Sequence, residues 1–253
     1  LKVENLTKEE VQKLEPNSNL DIKGAVYYHS DAHMTPNEFI PQLKLHLKKN
    51  GVTFLPNEKV LDINVSDDKV GSITTNKQTL LADEYVLATG SWAQDLAKNL
   101  QINIPVQAGK GYRIDVKKET GISIPAILME AKVAVTPMNG FTRFAGTMEI
   151  GGINHKINPT RVKTIANAGE KYYSGLKISQ KDIDNADCGL RPCSPDGLPY
   201  IGRLSKVKNV TVATGHAMMG WSLGPATGKL VSEIISDEKP SLNLARFNVE
   251  RFS

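Results

Sequence analysis

The residues best suited to chemistry lie between Cys188 and Gly228. The first part of this stretch, CGLRPCSPDGLPYIGR, presents Arg191 in a loop among glycines and prolines. The last part, HAMMGWSLGPATG, is a glycine-flanked start to a helix. A guanidinium forks onto a carboxylate through two parallel hydrogen bonds, and a helix N-terminus offers unpaired N–H groups and the positive end of its dipole. Together they suit a site that grips a small acid beside an electron-rich cofactor. Each part also has a bland alternative. An exposed arginine commonly makes only a weak ion pair, and a Met or aromatic at helical spacing commonly packs a core.

Composition sets the outer bounds. The 253 residues are 40% hydrophobic, enough for a real core in one large or two smaller domains. With 31 basic and 27 acidic side chains the net charge is +4, spread in pairs such as Lys48-Lys49 and Lys117-Lys118. That is too dilute to argue for a nucleic-acid partner. No stretch approaches the roughly 18 consecutive apolar residues of a membrane span, which leaves only a peripheral membrane contact open. Cys188 and Cys193 are too few for a disulfide framework, and a zinc site needs about four ligands, so no metal is expected. The N-terminal LKVENLTKEE has no apolar signal core and no initiator Met, and the default expectation is a reduced, cytoplasmic protein.

Local patterns name the elements that must position the stretch. Thr7 and Glu10 form a capping box for a short helix ending before Pro16, and Ala25 to His29 reads as a strand. Thr35-Pro36-Asn37-Glu38 is a second capping box. The helix behind it, to about Lys49, has Phe39, Ile40, Leu43 and Leu47 on one face. Val52 to Leu55, Lys59 to Val65, Val70 to Thr75 and Gln78 to Ala82 read as a small antiparallel meander. Glu84 to Ala88 is a buried strand that delivers Thr89-Gly90-Ser91 into a helix from Trp92 to Asn99, a way in which α/β folds present backbone donors.

Period-two alternation then takes over. Val106 to Val116, Ile127 to Glu130, Val133 to Pro137 and Phe141 to Met148 read as strands of a larger sheet. A polar helix follows over Thr160 to Leu176. After the Arg191 loop come a strand, Val210 to Ala213, and a helix from Gly220 to Ser236 with Leu223, Thr227, Leu230, Val231, Ile234 and Ile235 inward. The fold class expected is α+β, or mixed α/β, with segments 1–104, 105–187 and 188–253.

Four motifs carry a resemblance: EYVLATGSWA at 84–93, VQAGKGYRI at 106–114, FTRFAGTMEIGG at 141–152, and GLRPCSPDGLPYIG with TGHAMMGWSLGPATG at 189–202 and 214–228. In this order they resemble the flavin-dependent D-amino-acid oxidase and glycine oxidase superfamily, most nearly its bacterial D-amino-acid dehydrogenases. The resemblance implies FAD, an antiparallel substrate-binding sheet over 105–187, and parts of a Rossmann-like FAD domain before and after it. It implies a small amino-acid substrate oxidised by hydride transfer from Cα to the flavin, with a carrier as electron acceptor. A glycine, sarcosine or hydroxyproline oxidase and a non-catalytic carboxylate-binding module are the alternatives.

By position, the resemblance assigns Arg191 and Tyr112 to substrate. It assigns Val60, Thr89, Gly90, Ser91, Gly215, His216, Ala217, Met218, Met219, Gly220 and Trp221 to FAD. Tyr112 can also be read as a core residue. Hydride transfer needs no protein base, so His216 is expected to shape its loop, while His29, His33, His46 and His155 are scattered. Two departures stand out. Ala217 replaces the second glycine of the family's Gly-His-Gly, and the family's opening G-x-G-x-x-G for the FAD pyrophosphate is missing. With no initiator Met, this leads to the expectation of a C-terminal piece that holds FAD weakly or not at all.

Overall fold

Alternating apolar runs and capping residues become regular structure over residues 2–252, which the computed structural model describes. In chain order the elements are β1 (Val3–Thr7), α1 (Lys8–Leu14), β2 (Asn19–Leu20), β3 (Gly24–Tyr28), α2 (Pro36–Lys49), β4 (Val60–Ser66), β5 (Lys69–Thr75) and β6 (Thr79–Leu80). They continue with β7 (Tyr85–Leu87), α3 (Ala93–Asn99), β8 (Gln107–Val116), β9 (Ala126–Leu128), β10 (Val133–Met138), β11 (Phe141–Ile150) and α4 (Pro159–Tyr172). The last are β12 (Tyr173–Ser174), α5 (Gln180–Asp184), β13 (Asp187–Cys193), β14 (Tyr200–Arg203), β15 (Val210–Thr214) and α6 (Gly220–Ile235). The fold is mixed α/β with antiparallel sheets, as the sequence implies.

The chain divides into two compact units. Unit 1 comprises Leu1–Phe54, Lys110–Glu149 and His155–Gly189, and unit 2 comprises Leu55–Gly109, Ile150–Asn154 and Leu190–Ser253.

Unit 1 is built on a five-stranded sheet of order β13-β8-β11-β10-β9, in which β9, β10 and β11 are antiparallel. Its core gathers Tyr112, Ile114, Val116, Val133, Val135 and Phe144 with Val162 and Ile165 of α4. Asn158 caps α4 by accepting from Thr160 and Arg161 N–H. A Cβ on Gly169 would lie 2.9 Å from the Phe144 ring, so glycine is what lets α4 approach the sheet. The capping box of α1 forms as predicted, with Thr7 N–H donating to Glu10 at 2.8 Å. The second box does not. Thr35 is the N-cap of α2, but its Oγ1 accepts from Asn139 N–H at 3.2 Å instead of from the helix.

Unit 2 holds the β4-β5-β6 meander and a sheet in which β15 pairs parallel with β7 and antiparallel with β14. Tyr85, Leu87, Ala97, Leu100, Tyr200, Val210 and Val212 share its core. The Asn209 side chain accepts from Val70 N–H at 2.8 Å and donates to Val70 O at 2.9 Å, joining the meander to the loop before β15.

Three expectations need correction. Val52 to Leu55 form no strand: Val52 N–H donates back to Leu47 O at 3.0 Å, and Pro56 follows. Arg191 lies in a strand, β13, not in a loop; β13 is at the sheet edge, where Pro192 can be tolerated without a ladder N–H. Leu223 is exposed because the buried stripe of α6 starts one turn later, at Thr227, Leu230 and Glu233. Glu233 is buried because its carboxylate accepts from Ser241 N–H and Oγ–H. β1, β14 and α5 were not anticipated. Among the described residues no helix is long and apolar enough to cross a membrane. Nor do three or more His, Cys, Asp or Glu residues cluster to hold a metal.

Candidate functional site

Two parallel strands of unit 2 end at the same edge. β7 runs into Thr89-Gly90-Ser91, and its partner β15 runs into Gly215-His216-Ala217. The carboxyl edge of parallel strands is where open α/β sheets place their ligands. Thr214 Oγ1 donates to Gly90 O at 3.1 Å, which ties the first turn to the end of β15. Gly90, at φ +56°, has open space where a side chain would stand. The Thr89 Oγ1 and Ser91 Oγ atoms are buried and have no hydrogen-bond partner among the described residues. A cavity of about 210 Å³ adjoins this turn, lined in part by Ser91, Gln94, Gln107 and Ile153.

The second turn is held in an uncommon shape. Gly215 is buried at φ +82°, and a Cβ there would sit 2.8 Å from the Tyr200 ring. Ala217 is also left-handed, at φ +47°, where an alanine is strained and a glycine is not. Its N–H donates to Pro192 O at 2.9 Å, and Cys193 and His216 form an isolated antiparallel bridge. The end of β13, with Arg191, is thereby fastened to the turn that starts α6.

His216 Nε2 lies 2.8 Å from Thr227 Oγ1 on α6, and burial lowers the imidazole's proton affinity. The expectation that His216 shapes the loop fits this geometry. α6 has no side-chain cap hydrogen bond at Met219, and its N-terminus carries the positive end of the helix dipole. Met218, Met219 and Trp221 are exposed around that helix start.

Arg191 is half-buried, and burial works to lower its pKa, an effect that Cys193 opposes. A guanidinium stays charged through any such shift. Val60 begins β4 and is half-buried.

Tyr112 has a different setting. It is 1% exposed in the core of unit 1, and its hydroxyl donates to Glu149 at 2.9 Å. Burial, then the Glu149 hydrogen bond, raises its pKa. Lys110, also nearly fully buried, places its ammonium 3.3 Å from Glu149 and 2.9 Å from Lys156 O, and Arg161 reaches Glu149 at 3.0 Å. Burial disfavours the Lys110 charge, but the bonds from Tyr112 and Glu149 outweigh it and its pKa lies above the ordinary lysine value. The Tyr112 bond, helped by Lys110 and Arg161, holds the Glu149 carboxyl below the usual range. The core alternative for Tyr112 describes this setting.

The family model described as "FAD dependent oxidoreductase" matches residues 1–234. The chain belongs to that family. It is 32% identical over 227 residues to a D-amino acid dehydrogenase of Bradyrhizobium diazoefficiens, covering 88% of this chain and 52% of that protein. A D-amino acid dehydrogenase of Vibrio vulnificus is 33% identical over 237 residues, 92% of this chain and 55% of that one. The chain thus spans about half the length of these curated relatives. Glycine oxidase from Geobacillus kaustophilus superposes with a TM-score of 0.87 at 23% identity, over 99% of this chain and 67% of that one. L-proline dehydrogenase from P. horikoshii gives the same TM-score at 20% identity, over 99% of this chain and 68% of that one. At these identities the structural matches establish the fold.

FAD is the cofactor of the family. The residues after β7 and β15 suit a flavin ring: two unpartnered buried hydroxyls, an uncapped helix start and exposed thioethers and indole around it.

Sequence reasoning passed over two groups. Lys110 and Glu149 stand inside motifs quoted for the resemblance, and their types alone would have marked a buried ion pair had their burial been foreseen. Arg251, close to the C-terminus and bonded to the Asp196 turn, carried no local signal.

Proposed function

We propose that this chain supplies the substrate-gripping and flavin-facing residues of an FAD-dependent enzyme that oxidises a D-amino acid or a related amino acid. Electrons would pass to a carrier. The supporting observation is the fastening of β13 to the turn after β15, through the Cys193–His216 bridge and the Ala217 N–H to Pro192 O bond. It holds the backbone of Arg191 against the start of α6, so an acid and a flavin ring can be gripped by one connected piece of chain.

FAD, when bound, would supply the two-electron oxidant for removal of a hydride from the substrate Cα. Arg191 grips the carboxylate through its fork, which fixes the distance and direction of Cα. The α6 N-terminus, opening at Gly220 and Trp221, would present N–H groups and a helix dipole to negative charge growing on a reduced ring. Thr89 and Ser91 offer buried hydroxyls as further hydrogen-bond partners, with Gly90 open between them, and Val60 offers backbone at the start of β4. The exposed thioethers of Met218 and Met219 would shield a flavin held there from water. His216 holds the turn through Thr227 and moves no proton, because the substrate amine is neutral when the hydride leaves Cα.

The test is dye reduction by the FAD-loaded protein across D- and L-amino acids, glycine, sarcosine and hydroxyproline. Reduction by D-amino acids is the expected result. Reduction only by glycine, sarcosine or hydroxyproline would reassign the substrate, and carboxylate binding with no reduction of any dye would reject the redox reading.

A further inference from the structure

Arg251 is far from Arg191 in sequence but ends a chain of contacts that leads to it. Its side chain is 13% exposed, and its Nε and Nη2 grip both Asp196 carboxylate oxygens at 2.9 Å. Nη2 also donates to Leu198 O at 2.7 Å, and Nη1 to Pro199 O at 3.3 Å and Asn248 O at 2.9 Å. The same guanidinium stacks 4.0 Å from the centroid of Tyr200. Five hydrogen bonds thus fix this one side chain, and an arginine fork loses little entropy per bond once it is aligned.

The turn it closes, Ser194 to Pro199, directly follows β13. Within it, Ser194 Oγ donates to Leu198 O at 2.7 Å, and Asp196 Oδ1 accepts from Leu198 N–H at 3.1 Å. Beyond the turn, Tyr200 donates to Pro105 O at 2.9 Å and pairs with Thr214 in the β14–β15 ladder. The Tyr200 ring fills the space where Gly215 would carry a Cβ. Two routes therefore run from Arg251 to the site. One passes through Tyr200 to Gly215 and the turn after β15; the other passes back through Ser194 to Cys193 and the bridge to His216.

We propose that Arg251 is a positioning residue for the carboxylate grip: it locks the Ser194–Tyr200 segment and so sets where Arg191 stands relative to the 215–217 turn. This rests on Arg191 being the substrate clamp. In this role Arg251 acts through the Ser194–Tyr200 segment rather than on substrate or flavin directly.

The experiment is a double-substitution cycle in the FAD-loaded protein with Arg191→Met, Arg251→Met and both, using the D-amino acid that reduces the dye fastest. Hydrogen exchange of the Ala217 amide is followed in parallel. Arg251→Met should raise KM roughly tenfold with kcat within about threefold, and should add less than about twofold in the Arg191→Met background, because coupled sites are not additive. The Ala217 amide should exchange about tenfold faster in Arg251→Met, since its bond to Pro192 O depends on the locked segment. Arg251→Lys, which keeps the charge but not the fork, should give an intermediate KM and serves if the Met variant fails to fold.

An unchanged KM in both Arg251 variants, or full additivity in the double variant, or an Ala217 amide that exchanges as before would overturn the positioning role while leaving Arg191 as the clamp. An unchanged KM in Arg191→Met would overturn the clamp reading, and the positioning role with it.

Discussion

The ionic cluster of unit 1 and the turns after β7 and β15 in unit 2 treat buried polar groups in opposite ways. Around Glu149 the donors converge. Lys110, Tyr112 and Arg161 all bond its carboxylate, and Lys110 also satisfies Lys156 O. Around Ser91 they do not: two buried hydroxyls have no partner among the described residues, an alanine sits left-handed, and thioethers and an indole face outward. Buried polar atoms in folded proteins are almost always paired, and exceptions gather where function needs them. The closed cluster has the character of structure, and the open turns that of a binding surface.

The widest effect is expected from Gly215→Ala, which tests whether the open turn is nonetheless rigid. A methyl there would meet the Tyr200 ring at 2.8 Å and force alanine to φ +82°. Steric overlap and left-handed strain together should lower stability by about 2–4 kcal/mol, read by denaturant unfolding. A loss below about 1 kcal/mol would mean that the turn yields easily.

Opposite signs are expected from removing polar groups in the two regions. Lys110→Met should lower the thermal midpoint by roughly 3–6 °C, because Lys156 O and Glu149 lose a donor inside the protein. Ser91→Ala should leave the FAD-free midpoint unchanged or raise it by about 1–3 °C, since its hydroxyl has no partner to lose. The same variant should weaken FAD binding by roughly five- to tenfold in a titration followed by flavin fluorescence. Equal destabilisation by both variants would erase the contrast.

The smallest effect concerns Ala217. Ala217→Gly removes left-handed strain worth about 1–2 kcal/mol and adds about 0.5–1 kcal/mol of unfolded-state entropy, so stability should rise by only about 0.5–1 kcal/mol. A decrease would show that the methyl makes a packing contact that offsets its backbone strain.

How much of this the sequence carries depends on the kind of signal. Regular elements with strong local grammar are legible: Thr7 and Glu10 fix α1, the alternation from Val133 fixes β10, and the glycines flanking Trp221 announce α6. Elements whose stability comes from distant partners are not. β13 is an edge strand interrupted by Pro192, so its residues read as a loop until β8 is placed beside it. Thr35 followed its capping grammar only in part because Asn139, a hundred residues away, offered the better bond.

The site divides along the same line. Its residue types and the order of its motifs are on the surface of the sequence, since family resemblance rests on contiguous residues. The bridge from Cys193 to His216 and the reach of Arg251 to Asp196 are tertiary and leave no local trace.

The central claim is that Arg191 is the carboxylate grip, and steady-state kinetics of Arg191→Met in the FAD-loaded protein address it most directly. Loss of a bidentate charged pair predicts a rise in KM of about 100-fold or more with flavin content unchanged. A KM equal to that of the unsubstituted protein at full flavin content would contradict it.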